Sequence, residues 1–308
     1  MIIEFLRATI RMATPLMLAA SGEAYDELAG VINLGIDGMM AVGAVSAVIG
    51  AYFTGNLWMG LLLGMVAGGL LGVLMAFLTT TLHLDQVICG IAMNILAGTG
   101  LSVVIYRRLF GTGGIVIDSP VIVGFADISI PLLSDIPIIG QILFNHNILV
   151  YLMLPIIIIL MIVLYKTTIG LNIRSVGDNP LASEGLGVSV VRTRYLATIF
   201  AGIMCGWAGA YLSLAEIGTF FEGMIAGRGW IALSLVIFGQ WNPLKILVGA
   251  LLFGGVNALQ MRIQVMGIAI PYQFLLMLPY ILTIITLVIG TRRARPPAKL
   301  GIPYKKEE

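Results

Sequence analysis

Ile148-Leu149-Val150-Tyr151-Leu152-Met153-Leu154-Pro155-Ile156-Ile157-Ile158-Ile159-Leu160-Met161-Ile162-Val163-Leu164-Tyr165 runs without a single charge. A helix needs about 20 apolar residues to cross a hydrocarbon core, and this stretch approaches that length. A membrane-barrel strand would alternate apolar and polar residues. Four consecutive isoleucines followed by leucine do not alternate, so the segment reads as a membrane helix.

Working outward, stretches 57–82, 86–105, 195–215 and 271–290 are of the same kind. Shorter or interrupted apolar stretches lie at 5–20, 30–52 and 228–254, the last broken near Asn242-Pro243. Counting that one as two passes gives about nine elements. The expected fold is all-α: a polytopic transmembrane helical bundle of about eight to ten spanning or broken helices, in one domain over residues 1–290. Composition agrees. Of 308 residues, 59% are hydrophobic and 10% are charged, whereas a soluble domain carries roughly 25% charged residues. Were these segments ordinary core helices, other chain would have to bury them, and almost none lies between them.

Arg7 and Arg11 flank the first apolar stretch, but no small-residue cleavage site follows, so no removable signal peptide is expected. Cys89 and Cys205 both fall inside expected spans, which suggests neither a disulfide framework nor a thiolate metal site. His83 and His146 fall at opposite span ends, so a histidine metal site or catalytic triad is not expected.

Lys166, Arg174, Arg192 and Arg194 lie in a central loop over 166–194, and Arg292, Arg293, Arg295, Lys299, Lys305 and Lys306 in a basic tail over 291–308. The positive-inside rule places both in the cytoplasm. Segment 111–145, with Asp118, Asp127, Asp135 and several prolines, then lies outside as a packed cap. Glu216 and Glu222 mark another external turn. Arg7 and Arg11 favour the inside for the N-terminus, although the irregular segment after them leaves the span parity open.

Three segments carry chemistry. In the first, 22–38, four carboxylates (Glu23, Asp26, Glu27 and Asp37), Asn33 and several glycines stand between apolar runs. An ionisable residue inside a membrane is a functional candidate, and glycine-rich breaks leave half-helix ends that suit a polar solute. Asn33 and Asp37, together with Glu23, are the candidate pathway residues here. The competing reading puts Glu23, Asp26 and Glu27 in an ordinary aqueous loop. The second segment is Arg174-Ser175-Val176-Gly177-Asp178-Asn179-Pro180-Leu181-Ala182-Ser183-Glu184-Gly185-Leu186-Gly187. Asp178 or Asn179 can cap a short helix starting at Pro180, since proline lacks an N–H that would be orphaned there. Gly185 can end it in a left-handed conformation. It is either a docking helix or a plain connector. The third, 223–239, is glycine-studded like 35–50 and adds Arg228 and Trp230 to the pathway candidates. The two segments have the look of corresponding parts of a duplicated unit, although small residues also serve simple helix packing.

No phosphate-binding loop of the Gly-x-x-x-x-Gly-Lys-Ser/Thr kind occurs in the chain, nor is there a soluble stretch long enough to fold one. With the three segments in view, the chain resembles a permease subunit of bacterial ATP-binding-cassette (ABC) importers, in the family serving branched-chain amino acids, simple sugars and nucleosides. Asn33-Leu34-Gly35-Ile36-Asp37-Gly38-Met39-Met40 with Gly43-Ala44 resembles that family's buried early motif. The run 170–180 with Ala182 and Gly187 resembles its coupling segment, and Arg228-Gly229-Trp230, Trp241-Asn242-Pro243 and Phe253-Gly254 resemble its later stretch. The acidic, glycine-rich form of 23–40 looks most like the nucleoside and simple-sugar branch.

The resemblance implies a multi-pass protein of the bacterial cytoplasmic membrane, in contact with lipid and with no nucleic-acid partner. It implies no catalytic residue, metal or cofactor of the chain's own, ATP being bound by a separate ATPase subunit, often one with tandem nucleotide domains. It implies a second homologous permease subunit and an extracytoplasmic solute-binding lipoprotein. ATPase coupling falls to Arg174, Gly177, Asp178, Asn179, Pro180, Ala182, Glu184 and Gly187. The expected solute is a nucleoside, with a ribose- or galactose-like sugar or a branched-chain amino acid as alternatives. Tyr25, Phe220, Phe221 and Trp230 are either stacking partners for a base or ordinary interface aromatics. Two other classes stand against this reading: an ion-coupled carrier, which wants carboxylates deep in several spans, and an intramembrane hydrolase, which wants a nucleophile beside a base.

Overall fold

The computed structural model describes residues 2–111, 120–129, 131, 136, 139–266, 271–291 and 294–305. Its centre is helix α1 (Ile2–Leu28), in which every residue from 12 to 27 is buried. At 27 residues it is long enough, at about 1.5 Å per residue, to cross a bilayer. This corrects the sequence reading twice. The first element runs to Leu28 rather than stopping near residue 20, and Glu23, Asp26 and Glu27 are 0%, 0% and 3% exposed, so they form no aqueous loop. The reason is that each finds a donor inside the bundle. Glu23 Oε1 accepts the Asn33 N–H at 3.0 Å, Asp26 Oδ1 the Thr198 hydroxyl at 2.6 Å, and Glu27 Oε2 the Trp241 indole N–H at 2.6 Å.

Helix α10 (Val190–Tyr211, carried on to Ile217) packs on α1 and also against α2 (Ile36–Thr54) and α3 (Leu57–Ala76, carried on by a π-helical turn to Thr81), which pack on each other. Lipid supplies little hydrophobic drive between helices, so close backbone approach through small residues holds them together. A Cβ on Gly68 would lie 2.2 Å from the Gly202 carbonyl oxygen, and one on Gly209 would lie 1.9 Å from that of Met40. The remaining membrane elements are α4 (Gln86–Asn94), joined by a π-helical turn over Ile95–Leu101 to α5 (Ser102–Phe110), then α7 (Ile148–Lys166), α11 (Arg228–Phe238), α12 (Pro243–Val265) and α13 (Tyr272–Thr291). Among the described residues, six helices are long and apolar enough to cross a membrane by themselves. With α1, α11 and α13, the nine expected elements are all present among the described residues. The break expected near Asn242-Pro243 is there, with Asn242 Oδ1 capping α12 at 3.0 Å from the Leu244 nitrogen.

At one end of the bundle, β1 (Asp127–Ser129) pairs antiparallel with β2 (Asn145–Asn147), and short helix α6 (Ile139–Leu143) lies between them in the chain. Residues 120–129 lie over the end of α10, where the Ile122 and Phe125 N–H groups reach the Gly218 and Leu214 carbonyls at 2.8 and 3.2 Å. Asp118 and Asp135 lie outside the described residues. Arg7 sits at this same end, 3.3 Å from Asp127 and donating at 2.8 Å to the Asn145 carbonyl. At the opposite end, the last turn of α1 meets α8 (Thr168–Asp178) and residues 294–305. The N-terminal arginines and the tail therefore cannot share a side, which overturns the preference that Arg7 and Arg11 expressed for the tail's side. Arg292, Arg293 and Lys306 lie outside the described residues.

Candidate functional site

Two helices begin inside the bundle rather than at its ends. Helix α2 starts at Ile36 after a non-helical turn over 29–35, and α11 starts at Arg228 after a non-helical segment over 218–227. Asn33 folds the first turn: its Oδ1 accepts the Gly35 N–H at 2.9 Å while its own N–H is held by Glu23. Gly227, with a φ of 76°, redirects the second segment into α11.

The two helices run in opposite directions. The far end of α2 brings Tyr52 against Phe110, with ring centroids 5.2 Å apart, while α11 leads to Trp241 beside Glu27. Their first turns touch, and Asp37 Oδ1 accepts the Gly229 N–H at 2.8 Å. Gly38 packs against Asn94, whose Cα would lie 2.9 Å from a Cβ there. Asn94 is the last residue of α4, which starts at Gln86, so the contact lies roughly 12 Å along that helix from its start. Helix N-termini leave N–H groups without intrahelical partners, and broken helices with such ends line transport pathways.

Beside this contact is a cavity of about 540 Å³, within the size range of small-molecule sites. Asp37 reaches it from α2, Asn94, Thr99 and Ser102 from the α4–α5 element, and Phe220 and Glu222 from the non-helical segment. Phe220 is fixed by Tyr106, their ring centroids 4.9 Å apart. At the rim, Glu222 pairs with Arg107 at 2.6 Å. The cavity opens sideways, since Ile95 is 63% exposed.

Of the pathway residues expected from sequence, only Asp37 lines this cavity. Asn33 and Glu23 are buried beneath it and shape the turn. Arg228 donates to the Met224 and Ile225 carbonyls at 2.9 and 3.0 Å, and it lines a smaller cavity of about 120 Å³ beside α12 and α13. Trp230 is 43% exposed and lines neither. Tyr25 is far from this site, its hydroxyl bonded to the Leu160 carbonyl. Asn94, Thr99 and Ser102 were missed because 86–105 reads as one apolar span. The only sequence signal was Gly98-Thr99-Gly100, which falls in the π-helical turn, a distortion common at functional sites.

Residues 5–287 match the family described as branched-chain amino acid transport system, permease component. The chain belongs to this permease family. A putative glucose ABC transporter permease of Haloferax volcanii is 41% identical over 86% of this chain and 79% of its own length. A nucleoside ABC transporter permease of Lactococcus lactis is 35% identical over 96% of this chain and 95% of its own, and a guanosine ABC transporter permease of Bacillus subtilis 35% over 97% and 95%. No solved structure matches the chain. The family resemblance read from 33–44, 170–187 and 228–254 therefore holds, and nucleoside permeases stand among the relatives, in keeping with the acidic early motif. The permease is a multi-pass membrane protein.

The permease's second candidate region is α8 with α9 (Pro180–Gly185). Asn179 caps α9 as expected, its Oδ1 accepting the Ala182 N–H at 3.1 Å, with Pro180 in the first position. The expected stop differs: Gly185 stays helical, and the left-handed residue is Gly187, with a φ of 86°. Gly177 lets α8 press on α1, because a Cβ there would lie 2.1 Å from the Leu28 carbonyl oxygen. Arg174 stands with its guanidinium 5.3 Å from the centre of the Tyr165 ring. Asp178, Asn179, Leu181 and Ala182 are exposed, and Leu186 is 86% exposed, so α9 presents a partly apolar outer face.

Proposed function

We propose that the permease carries nucleosides as a subunit of an ABC importer, by alternating access through the cavity at Asp37. The observation that carries this reading is the meeting of two oppositely directed half-helix starts at Asp37 and Gly229 beside that cavity. Asp37, Asn94, Thr99, Ser102 and Glu222 supply hydrogen-bonding groups for a sugar's hydroxyls, and Phe220 supplies a ring on which a base can stack. The nucleoside and guanosine permeases among the relatives favour this solute. The glucose permease keeps a simple sugar as the second reading.

The remaining assignments belong to the same proposal. A separate ATPase subunit, with tandem nucleotide domains, docks on α9 and delivers work there through Arg174, Gly177, Asp178, Asn179, Pro180, Ala182, Glu184 and Gly187. A second homologous permease closes the sideways opening at Ile95 and Thr99. A solute-binding lipoprotein delivers cargo to the cap end, which faces outward, so that the tail is cytoplasmic. The permease has no catalytic residue or cofactor of its own.

The buried carboxylates of α1 are what an ion-coupled carrier would require. Each is engaged with a fixed donor inside the bundle and none lines the cavity, which favours the ABC reading. The test is uptake by the assembled importer in proteoliposomes, with nucleosides, pentoses and hexoses compared. ATP-dependent nucleoside accumulation is expected. Accumulation of hexose but not nucleoside would replace the solute, and uptake abolished by an uncoupler with ATP held constant would replace the class.

A further inference from the structure

Residues 294–305 are bound to the rest of the protein at both of the regions just described. Three attachments reach the coupling region. The Lys299 N–H donates to the Gly177 carbonyl at 2.9 Å, the Ala298 N–H to Asp178 Oδ1 at 3.4 Å, and the Tyr304 hydroxyl to Glu184 of α9. The Tyr304 ring is buried against Val176 of α8 and Val190 of α10. Two attachments reach the turn between α1 and α2. The Gly301 N–H donates to the Gly30 carbonyl at 3.2 Å, and a Cβ on Gly301 would lie 3.1 Å from Ile32 Cδ1. Arg194, 1% exposed, fastens the same stretch, its Nη1 donating to the Ile302 carbonyl at 3.0 Å. Its Nη2 stands 2.8 Å from where a Gly30 Cβ would be.

We infer that segment 294–305 is a strut that carries displacement of α9 to the α1–α2 turn, with Tyr304 and Arg194 as its positioning residues. The path is short and continuous. Glu184 holds Tyr304, Ile302 and Gly301 hold Arg194 and Gly30, and the turn over 29–35 leads directly into the α2 start that bears Asp37. Packed elements move as units rather than deforming continuously, so a pull on Tyr304 acts on the turn before it acts on the rest of α1. The other route, through α8, meets α1 at the Leu28 carbonyl oxygen, 2.1 Å from where a Gly177 Cβ would be, and so pushes on the end of a helix that is buried all along residues 12–27 and resists local movement. The strut thus links the place where work enters to the contact that it must open.

This inference rests on the coupling reading of α9, and the experiment separates the two. Tyr304→Ala, Tyr304→Phe and Leu181→Asp would each be placed in the full-length permease, purified as the assembled importer and reconstituted. Solute moved and ATP hydrolysed are then read from the same vesicles. Tyr304→Ala is expected to lower solute moved per ATP by roughly tenfold or more, the equivalent of one lost charge-assisted bond and its packing. Tyr304→Phe, which keeps the ring, is expected to fall between it and the unmodified protein. Unchanged solute per ATP in Tyr304→Ala sinks the strut while leaving the coupling reading intact if Leu181→Asp still uncouples transport. Unchanged transport in Leu181→Asp sinks the coupling reading itself. Should Tyr304→Ala fail to assemble, Tyr304→Phe decides alone: an undiminished ratio rejects the strut and a lowered ratio supports it.

Discussion

Gly229 has no room for a side chain because Asp37 occupies the space: a Cβ there would lie 2.4 Å from the Asp37 nitrogen and 2.6 Å from its Cα. The contact is therefore backbone against backbone, with the carboxylate accepting from the α11 start. Gly229→Ala must push the two helices apart, at an expected cost of about 1–3 kcal/mol, seen as a lowered melting temperature of the detergent-purified protein. Asp37→Asn keeps an acceptor of nearly the same shape. It should leave the melting temperature close to normal while lowering solute uptake by roughly tenfold. Normal uptake by Asp37→Asn would remove the carboxylate from the pathway.

Trp241 ties the link between α11 and α12 to the buried end of α1. Trp241→Phe leaves Glu27 Oε2 without its 2.6 Å donor in a place that water does not reach. Leaving a buried acceptor unsatisfied costs about 1–3 kcal/mol. Glu27→Gln in the same background should restore part of that loss, because a neutral amide is cheaper to bury alone than a carboxylate. Thermal unfolding of the single and double variants checks both. If the second substitution makes the first worse, the bond does not contribute as described.

The membrane elements were legible because lipid imposes a length and a composition that a single segment displays by itself. The cap of α9 was legible for a similar reason: Asn179 and Pro180 act on N–H groups within three residues. The fate of Glu23, Asp26 and Glu27 was not legible. Their polarity reads as water-facing, and the donors that permit burial lie far along the chain, Thr198 being 172 residues from Asp26 and Trp241 being 214 from Glu27. The likeness between 35–50 and 223–239 was visible only as glycines. What it stands for, two antiparallel helix starts in contact, needs the fold. The π-helical turn over Ile95–Leu101 escaped because apolar residues suit either kind of helix, and the same holds for the polar groups that it turns toward the cavity.

His146 makes the cap end sensitive to acid. Its Nε2–H donates to the Ile142 carbonyl at 2.7 Å, and its ring is nearly inaccessible. Burial pushes the imidazole below its ordinary value, and Arg7 adds in the same direction, against the opposing pull of the Ile142 carbonyl. The folded state then binds fewer protons than the unfolded state. The contribution is full above the unfolded value of about 6.5 and is lost progressively as pH falls below it. Amides of β2 and the start of α7 should exchange faster, after correction for intrinsic rates, at about pH 5.5 than at about pH 7.5. His146→Gln should flatten that difference. An unaltered pH profile in the variant would assign the effect to other groups.

Thr99 gives the cavity a direct test, because it lines the space and is itself exposed. The two native cysteines do not interfere: Cys89 is 5% exposed and Cys205 is 0% exposed. Thr99→Cys should react with a small, membrane-impermeant thiol reagent, whereas Ile88→Cys, 69% exposed on the outer face of α4 in a span that faces lipid, should not. Nucleoside present at saturating concentration in the assembled importer should slow the reaction at position 99 by roughly tenfold, the signature of a filled site. Equal labelling with and without nucleoside, in vesicles that still transport it, would move the pathway elsewhere. A pathway moved in that way would leave Asp37 with only its structural bond to Gly229, and uptake by Asp37→Asn would then be expected to stay normal.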